Sequence, residues 1–391
     1  MIQFNSIGMH MGGCIKIIKN DLWVRGQFGY LIEEISKYTK KLYLLLDEYP
    51  NTDLDSFEIK TDYKIKSKNV KFISLGKSGG FVEFFNRMLI MKKNLSDINV
   101  DFLLIREPSR RSPFISFYCK KIPRVYLFGG DWNTSLNDDK NIKMKFKAYF
   151  FTKMLRTHLK NSLVYVNNKD LLNRWENHSD NISILKTTTI KNEQIYDNPV
   201  DRFHNRKKVS VLFVGRLDPL KGIETLLIAI SKINSIENKK WELNILGSGE
   251  EYYAKYLQDI VFDLKISDHV TFNSYVDFEK IFEFYKKADV VVLPTLAENV
   301  SRVIWEAMAM SCPVITTAVG GHKSTFIDYE DVIFFRPGDS DDLAEKLLQL
   351  SKNKSEWLTL TTNGIKTVRK NTIEIMTRNI IDGVQKWMNN K

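Results

Sequence analysis

The second half of the chain alternates between short apolar runs and longer segments whose apolar residues recur at helical spacing. The runs are rich in β-branched residues and end near glycine or proline, which is typical of buried strands. They predict strands at 207–215, 241–247, 269–275, 289–295 and 312–318, and the spacing predicts helices at 222–233, 253–264, 278–288, 301–310 and 341–353. Strands and helices that alternate through short connections favour a parallel sheet with helices on both faces.

The first half repeats this alternation less regularly. Apolar runs predict strands at 40–46, 70–76, 100–107, 124–130 and 161–167, and helical spacing predicts helices at 28–38 and 81–94. A polar segment without periodicity, 186–208, indicates a domain boundary. The chain is therefore expected to form two α/β domains with a cleft between them. Ligands of such sheets bind beyond the carboxyl ends of the strands.

Composition limits the class of protein. The chain has 391 residues, of which 43% are hydrophobic, and this suffices for two cores and excludes global disorder. No apolar run reaches the roughly 18–20 residues that span a bilayer, and the N-terminus lacks the pattern of a secretion signal. The three cysteines lie far apart in the sequence, and the six histidines form no metal-ligand motif. We therefore expect a cytoplasmic protein without a metal site.

The positive charge is unevenly distributed. Residues 1–200 contain 32 Lys and Arg against 21 Asp and Glu, whereas residues 201–391 contain 26 of each kind. The net charge of +11 thus lies in the first half, which indicates an anionic partner for that half: a membrane surface, an acidic substrate or nucleic acid. No nucleic-acid-binding motif accompanies the charge, so nucleic acid is not expected as a partner.

Two glutamates follow the predicted strand at 289–295. Glu298 lies in the loop after the strand, and Glu306 lies on the next helix. Backbone amides at the amino end of that helix are suited to bind phosphate, with help from the helix dipole. These amides belong to Asn299, Val300, Ser301 and Arg302. Glu306 is then placed to accept hydrogen bonds from a ribose diol, and Glu298 to reach a sugar; a hydrolytic carboxylate pair is the alternative.

Two cations follow the predicted strand at 207–215. Gly215 ends the strand, so Arg216 projects from its carboxyl end, and Lys221 directly precedes the next helix. Two cations placed there can hold a diphosphate, Arg through a planar bidentate contact and Lys as a point charge. A hydrolase of neutral sugars does not require them, which disfavours the hydrolytic alternative.

Residues 207–350 resemble the donor-binding domain of the retaining glycosyltransferase family 4. The matching segments are, in order, GRLDPLKG, LGSGEE, ENVSRVIWE with AMAMSCPVITT, and the Gly320-Gly321 turn. The match within residues 1–190 is looser and rests on FGYLIEEISKY, LLIREPS and FGGDW. The resemblance implies the GT-B fold, in which two Rossmann-like domains face each other across a cleft. Residues 1–190 would bind the acceptor, residues 205–371 would bind the nucleotide sugar, and the last helix, 372–391, would pack back on the first domain.

The resemblance also implies an activity: transfer of a sugar from a nucleotide-diphosphate donor, with retention at the anomeric carbon and without a metal or other cofactor. By position, Arg216 and Lys221 would neutralise the donor diphosphate, and Glu306 would hold the ribose. Glu298 would contact the donor sugar near the reacting centre. Gly215 and the Asn299–Arg302 loop would supply backbone contacts to the donor.

The sequence departs from the family pattern at several positions. Asn299-Val300 stand where Gly-Phe or Gly-Leu is frequent, and His322 begins a segment where an acid is common. Gly129 stands where a histidine is found in the HGD-type loop, although Asp131 remains. Asp131 and Gly129 are candidates for the acceptor side, and His322 is expected to be a loop residue rather than a catalytic base.

Two stretches of the first half, 81–93 and 143–160, interleave basic and aromatic residues. The aromatic residues are Phe81, Phe84, Phe85, Phe146 and Phe150 among others. Together with the charge of +11, these stretches predict that the first domain docks peripherally on an anionic inner leaflet. A lipid-diphosphate-linked glycan is then the expected acceptor.

These inferences combine into one hypothesis: a cytoplasmic glycosyltransferase that builds a bacterial surface polysaccharide such as capsule, O-antigen or lipopolysaccharide. Two alternatives stay open. One is a nucleotide-sugar 2-epimerase on the same fold, and the other is a non-catalytic protein that binds sugar nucleotides.

Overall fold

Two units, each with its own sheet, make up the chain. Unit 1 comprises Met1–Thr189 and Ile373–Lys391, and unit 2 comprises Ile190–Thr372. The computed structural model describes residues 2–26, 28–49, 62–77, 81–130, 142–198, 208–237, 240–274, 276 and 280–390.

The described strands of unit 1 belong to one sheet. They are β1 (Phe4–His10), β2 (Cys14–Ile18), β3 (Asp21–Arg25), β4 (Thr39–Glu48), β5 (Asp62–Lys64), β6 (Val70–Lys77), β7 (Phe102–Glu107), β8 (Arg124–Phe128), β9 (Leu163–Val166) and β10 (Asn181–Ile184). Their order is β10-β9-β8-β7-β1-β4-β2-β3-β5, and β6 also pairs with β4. β2, β3 and β5 form an antiparallel extension that the sequence analysis did not predict.

β1 lies at the middle of this sheet and was also not predicted. It pairs in parallel with β4 on one side and with β7 on the other. Ile7 and Met9 on this strand are fully buried. Gly8 allows β7 to approach closely, because a Cβ at this position would lie 2.5 Å from Cδ2 of Leu103. The chain leaves β1 towards β4 and later returns to its other side at β7, so the order of strands reverses at β1.

The helices of unit 1 cover the faces of this sheet. They are α1 (Phe28–Ser36), α2 (Phe81–Ser96), α3 (Ser112–Tyr118), α4 (Ile142–Leu159), α5 (Lys169–Trp175) and, from the end of the chain, α13 (Ile373–Asn389). α13 packs on α1, and the Tyr165 hydroxyl donates to the carbonyl of Asn379 at 3.4 Å. Gly383 makes room for this ring, because a Cβ there would lie 1.8 Å from the hydroxyl oxygen.

Unit 2 contains a six-stranded parallel sheet. Its strands are β11 (Lys208–Val214), β12 (Lys240–Leu246), β13 (Val270–Asn273), β14 (Val290–Leu293), β15 (Val314–Thr317) and β16 (Ile333–Phe335). Their order is β13-β12-β11-β14-β15-β16. The five strands predicted in this half are confirmed, whereas the short β16 was not predicted.

The helices of unit 2 bury their apolar sides against this sheet. They are α6 (Ile223–Ile236), α7 (Glu251–Asp263), α8 (Ile281–Lys287), α9 (Arg302–Ala309), α10 (Gly321–Thr325), α11 (Ser340–Lys352) and α12 (Lys354–Arg369). The core contains fully buried large side chains such as Trp241, Trp305 and Tyr285. Within the described residues of both units, no helix combines the length and apolar character needed to cross a bilayer.

Candidate functional site

The order of strands in unit 2 identifies one place where loops diverge. From β11 the chain proceeds to β12 and β13 on one side, and then crosses to β14 on the other side. The loops after β11 and β14 therefore leave neighbouring strands in opposite directions and open a crevice at the carboxyl edge of the sheet. The loop after β11 contains Arg216 and Lys221, and the loop after β14 contains Glu298.

The loop after β11 is fixed by a capped turn. The Asp218 carboxylate accepts a hydrogen bond from the Leu220 amide at 2.9 Å, at the start of a 3-10 turn over Pro219–Lys221. Gly222 then adopts a left-handed conformation, with φ of 62°. A side chain is excluded there, because a Cβ would lie 2.2 Å from the carbonyl oxygen of Pro294. The turn that presents Lys221 is thus packed directly on the loop after β14.

Hydrogen bonds join the same two loops. The Leu220 carbonyl accepts from the Leu296 amide at 2.8 Å and from the Thr295 hydroxyl at 3.1 Å. The Thr295 carbonyl in turn accepts from the Thr317 hydroxyl at 2.6 Å, at the end of β15. Because buried backbone groups are costly to leave unpaired, these bonds hold the two loops in one arrangement.

Lys221 and Glu298 form an ion pair across these loops. The Lys221 ammonium donates to Oε2 of Glu298, and the side chains are 21% and 22% exposed. The site residues predicted from the two separate motifs are therefore brought together. A partly exposed ammonium whose partner is one carboxylate oxygen keeps donors that can turn to a ligand anion.

Arg216 does not share this partner. Its guanidinium contacts the Asp218 carboxylate at 3.7 Å, and its side chain is 79% exposed. The amide of Gly215, the preceding residue, donates a hydrogen bond to the Leu246 carbonyl at 3.0 Å. The expected pair of neighbouring cations is thus divided between two carboxylates, Asp218 for Arg216 and Glu298 for Lys221.

The amides before α9 are not equivalent. The Asn299 amide donates to Oε1 of Glu298 at 3.2 Å, and the Ser301 amide donates to Nε2 of His322 at 3.2 Å. For the amides of Val300 and Arg302, the described part of the chain contains no hydrogen-bond acceptor. All four amides were expected to face the ligand, but those of Asn299 and Ser301 are hydrogen-bonded within the protein. Of the four, the amides of Val300 and Arg302 are therefore available to donate hydrogen bonds to an anion at the positive end of α9.

Glu306 lies in the second turn of α9 and is 3% exposed. Its Oε2 accepts a hydrogen bond of 2.7 Å from the hydroxyl of Tyr285 on α8. Burial, together with the negative charge of Glu306, raises the pKa of Tyr285 well above its ordinary value, so the phenol stays protonated and continues to donate. Tyr285 therefore fixes the orientation of the Glu306 carboxylate, a role that sequence reasoning missed.

His322 is not in a loop, contrary to the expectation from the sequence. It is the second residue of α10 and is fully buried. The short helix follows the Gly320 turn and brings the imidazole to the loop after β14, where it meets Ser301.

Unit 1 contains a polar cluster that the sequence analysis did not identify. It lies where the order of strands reverses, at the carboxyl ends of β1 and β7. His10, the last residue of β1, is buried, and its Nε2 accepts from the Ser109 hydroxyl just beyond β7 at 2.7 Å. Its Nδ1 donates to the carbonyl of Leu45 on β4 at 2.6 Å. Burial lowers the pKa of His10 to about 4, so the imidazole is neutral.

Carboxylates and an arginine complete this cluster. Arg111 donates two hydrogen bonds of 2.9 and 2.5 Å to the Asp47 carboxylate. Burial raises the pKa of Glu107 to about 8, although its Oε2 accepts from the Ser109 amide at 2.7 Å. Carboxyl groups, an arginine and a histidine at the carboxyl ends of three neighbouring strands form a largely buried polar cluster at the edge where ligands of such sheets bind. The LLIREPS segment contained the only sequence signal of this cluster.

The acceptor-side candidates are described only in part. The Gly129 carbonyl accepts from the side-chain amide of Asn167 at 3.2 Å, whereas Asp131 lies outside the described residues. Across the described ranges, no three histidine, cysteine, aspartate or glutamate side chains are grouped as metal ligands.

Comparisons with known proteins show what the chain resembles. Residues 196–367 match the family model described as glycosyl transferases group 1. An uncharacterized glycosyltransferase of Methanocaldococcus jannaschii is 38% identical over 134 residues, which are 34% of this chain and 33% of that protein. The matched segments span only 33%, 58% and 32% of the first three curated relatives.

Solved structures extend the likeness to both units. Sucrose-phosphate synthase of Thermosynechococcus elongatus has a TM-score of 0.76 and 18% identity, over 99% of this chain and 100% of that one. Anabaena HepE, in complex with UDP-glucose, has a TM-score of 0.72 and 15% identity, over 98% of this chain and 100% of that one. The expected resemblance and the GT-B fold with two Rossmann-like units are confirmed.

Proposed function

Residues 196–367 match the group 1 glycosyl transferases, and on this premise we propose that the protein is a retaining glycosyltransferase. It moves a sugar from a nucleotide-diphosphate donor to a glycan or lipid-linked acceptor. The observation that carries the proposal is the Lys221–Glu298 pair, which joins the two loops at the strand reversal of unit 2. The resemblance of HepE, whose structure contains UDP-glucose, supports a nucleotide sugar as the donor.

In this proposal the donor diphosphate accepts hydrogen bonds from the Lys221 ammonium and from the amides of Val300 and Arg302 at the start of α9. Departure of the nucleoside diphosphate leaves negative charge on its oxygens, and fixed positive groups aimed at that charge lower the barrier. Arg216, whose exposed guanidinium is held by a 3.7 Å contact with Asp218, turns to the same diphosphate as a second cation. In this proposal these cations act in place of a metal ion.

The two glutamates have different tasks. Glu306, held by Tyr285 at 2.7 Å, accepts hydrogen bonds from the ribose of the donor. When the diphosphate binds the Lys221 ammonium, Glu298 loses its contact with the lysine and contacts the donor sugar instead. A carboxylate beside the anomeric carbon stabilises the positive charge that develops there.

The acceptor is assigned to unit 1. His10 and Ser109 lie at the carboxyl ends of the strands where the order reverses, which is the position of ligands in open α/β sheets. We propose a lipid-diphosphate-linked glycan as the acceptor and surface polysaccharide synthesis as the process. The excess of positive charge in residues 1–200 favours an anionic acceptor over a neutral one.

A surface of unit 1 supports peripheral binding to an anionic inner leaflet from the cytoplasmic side. α3 packs on α2 and on α4, and large apolar side chains on the three helices are exposed. These side chains are Leu89, Phe117, Tyr149 and Phe150. Exposed basic residues accompany them: Lys92, Lys93, Lys120, Lys121, Lys153 and Arg156. Phe81, Phe84, Phe85 and Phe146, which the sequence analysis named, have side chains outside the described part. Apolar area combined with basic charge is the pattern of interfacial binding to anionic lipid.

Donor binding and transfer test the enzymatic proposal. Thermal unfolding is measured with a panel of nucleotide-diphosphate sugars, because a true donor raises the unfolding temperature by mass action. The stabilising donor is then incubated with and without a lipid-linked glycan. A product that requires the acceptor supports transfer, whereas a changed donor without acceptor supports the epimerase. Binding without either reaction supports a non-catalytic protein.

Vesicle binding tests the membrane proposal. Wild-type protein is expected to co-sediment with vesicles that contain anionic lipid, and Phe117→Ser with Phe150→Ser is expected to reduce this binding. The control is Phe262→Ser on α7 of unit 2, which removes an even more exposed phenylalanine from the other unit. Equal binding to neutral vesicles, or an equal loss in the control, contradicts the proposal.

A further inference from the structure

The turn between β15 and α10 holds the loop after β14 at several points. The Thr317 hydroxyl donates to the Thr295 carbonyl at 2.6 Å. Gly320, with φ of 49°, lies so close to Glu298 that a Cβ would be 1.8 Å from the glutamate carbonyl oxygen. His322 then reaches Ser301. The turn between β15 and α10 thus fixes the backbone of the loop that contains Glu298 and the amides before α9.

The contacts of His322 define its tautomer. Nδ1 lies 3.2 Å from the carbonyl oxygen of Thr317, and Nε2 lies 3.2 Å from the amide nitrogen of Ser301. A carbonyl only accepts and an amide N–H only donates, so Nδ1 carries the proton and Nε2 is the acceptor. An imidazolium would direct a second N–H at the Ser301 N–H. The observed arrangement therefore requires neutral His322.

The surroundings favour this neutral form. His322 is fully buried, and this burial lowers its pKa below the ordinary value. The negative charge of Glu298 acts in the opposite direction but is outweighed, and the positive charge of Lys221 lowers the pKa further. At neutral pH the imidazole therefore remains an acceptor for Ser301.

The Ser301 amide controls the direction of the next amide. Ser301 is extended, with φ of −70° and ψ of 129°, and across an extended residue consecutive N–H groups point in different directions. When the Ser301 N–H is fixed on His322, the Arg302 N–H is turned away from His322. This is the first amide of α9, where the helix dipole favours an anion.

We propose that His322 is a positioning residue of the donor site. By accepting the Ser301 amide, it sets the loop so that the Arg302 amide is directed at the donor diphosphate. This inference rests on the proposed function, because it assumes that the ligand of Lys221 and α9 is a nucleotide diphosphate.

Two substitutions divide the contacts of His322. His322→Gln places an acceptor oxygen where Nε2 was, which keeps the contact with Ser301. His322→Asn places an amide donor where Nδ1–H was, which keeps the contact with Thr317 and loses the one with Ser301. Each variant loses one buried hydrogen bond, so their unfolding temperatures are expected to be similar. His322→Leu, which keeps much of the buried volume and loses every hydrogen bond of the imidazole, including the 3.3 Å contact of Nδ1 with the Thr316 hydroxyl, replaces the Asn variant if that variant does not fold.

The experiment measures the binding of UDP, GDP, ADP, CDP and dTDP to the full chain by calorimetry, for the wild type, these variants and Lys221→Met. For the nucleotide that binds, the Gln variant is expected to stay within about threefold of the wild type. The Asn and Leu variants are expected to bind at least about tenfold more weakly, since a positioned N–H to a charged phosphate is lost. In transfer assays, the same variants are expected to raise KM for the donor more than they lower kcat.

The outcomes separate the inference from its premise. If no nucleotide binds the wild type, or if Lys221→Met binds as well as the wild type, the proposed function fails and the inference fails with it. If Lys221→Met loses binding but the Gln and Asn variants bind equally, His322 has no positioning role, while the proposed function stands.

Discussion

Lys221 and Glu298 are 77 residues apart in the chain, yet the lysine ammonium donates directly to the glutamate carboxylate. The contact exists because β11 and β14 are neighbours in the sheet of unit 2. It places a cation and a carboxylate at the reversal of strand order, beside the positive end of α9. The proposed chemistry of a departing diphosphate and a developing positive charge on the sugar requires both signs of charge at one place.

Lys221→Met is expected to weaken nucleotide-diphosphate binding by about 10- to 100-fold, because a hydrogen bond to a charged group contributes about 1.5–3 kcal/mol. Titration calorimetry measures the loss. Lys232→Met is the matched control, since Lys232 also forms an ion pair on unit 2, with Asp341 at 2.6 Å, but in an exposed position on α6. An equal loss of affinity in both variants would show a general effect of charge rather than a contact at the site.

Glu298→Gln is expected to reduce transfer by at least about 100-fold while nucleotide affinity stays within a few-fold of the wild type. The substitution keeps the shape of the side chain but removes the charge that stabilises the reacting sugar, so kcat falls more than binding does. Steady-state kinetics and calorimetry on the same preparation measure the two quantities. A Glu298→Gln variant with the kcat of the wild type would show that Glu298 takes no part in the chemical step.

Tyr285→Phe is expected to weaken nucleotide binding and to destabilise the fold by about 1–3 kcal/mol, because it removes a hydrogen bond to the buried Glu306 carboxylate. Tyr126→Phe is the control: it removes a buried hydroxyl that contacts Ser116 at 2.7 Å in unit 1. Both variants are expected to unfold more easily in urea, but only Tyr285→Phe should lose nucleotide affinity. Equal nucleotide affinities would mean that the Tyr285–Glu306 bond serves the fold alone.

Glu107→Gln is expected to change how stability depends on pH. Burial raises the pKa of Glu107 to about 8 in the folded protein, whereas an exposed glutamate has a pKa of about 4.3. Between these values the folded state holds a proton that the unfolded state lacks, so the contribution of Glu107 to stability falls as pH rises, by roughly 1.4 kcal/mol per pH unit. Glutamine does not titrate.

Urea unfolding of wild type and Glu107→Gln at pH 5, 6.5 and 8 checks this prediction. The free energy of unfolding of the variant, relative to the wild type, is expected to increase with pH. A difference that is the same at all three pH values would mean that Glu107 is ionised in the folded protein.

Unit 2 could largely be predicted because its central strands β11, β14 and β15 are buried along nearly their whole length, and two of them are rich in apolar residues. β1 could not, because Asn5, Ser6 and His10 interrupt its apolar pattern. Two of these polar side chains find partners that are distant in the chain: the Ser6 hydroxyl donates to the Asn99 carbonyl at 3.3 Å, and the His10 imidazole contacts the Ser109 hydroxyl at 2.7 Å. Such compensation depends on strand order, which the local pattern of residues does not contain.

The same reason explains what was found and missed at the site. Lys221 and Glu298 lie in glycine- and proline-containing loops directly after apolar strands, so their motifs were visible. His10 and Ser109 are 99 residues apart, and Tyr285 and Glu306 meet between two helices, so neither pair leaves a local pattern. Arg216 was expected beside Lys221, but its guanidinium contacts the carboxylate of Asp218, only two residues away.

The most direct measurement is a crystal structure of the full chain with the nucleotide-diphosphate sugar that stabilises it most. We predict diphosphate oxygens within hydrogen-bond distance of the Lys221 ammonium and the Arg302 amide, with the ribose hydroxyls hydrogen-bonded to Glu306. A nucleotide sugar bound away from the loops after β11 and β14, with the Lys221–Glu298 pair unchanged, would contradict it.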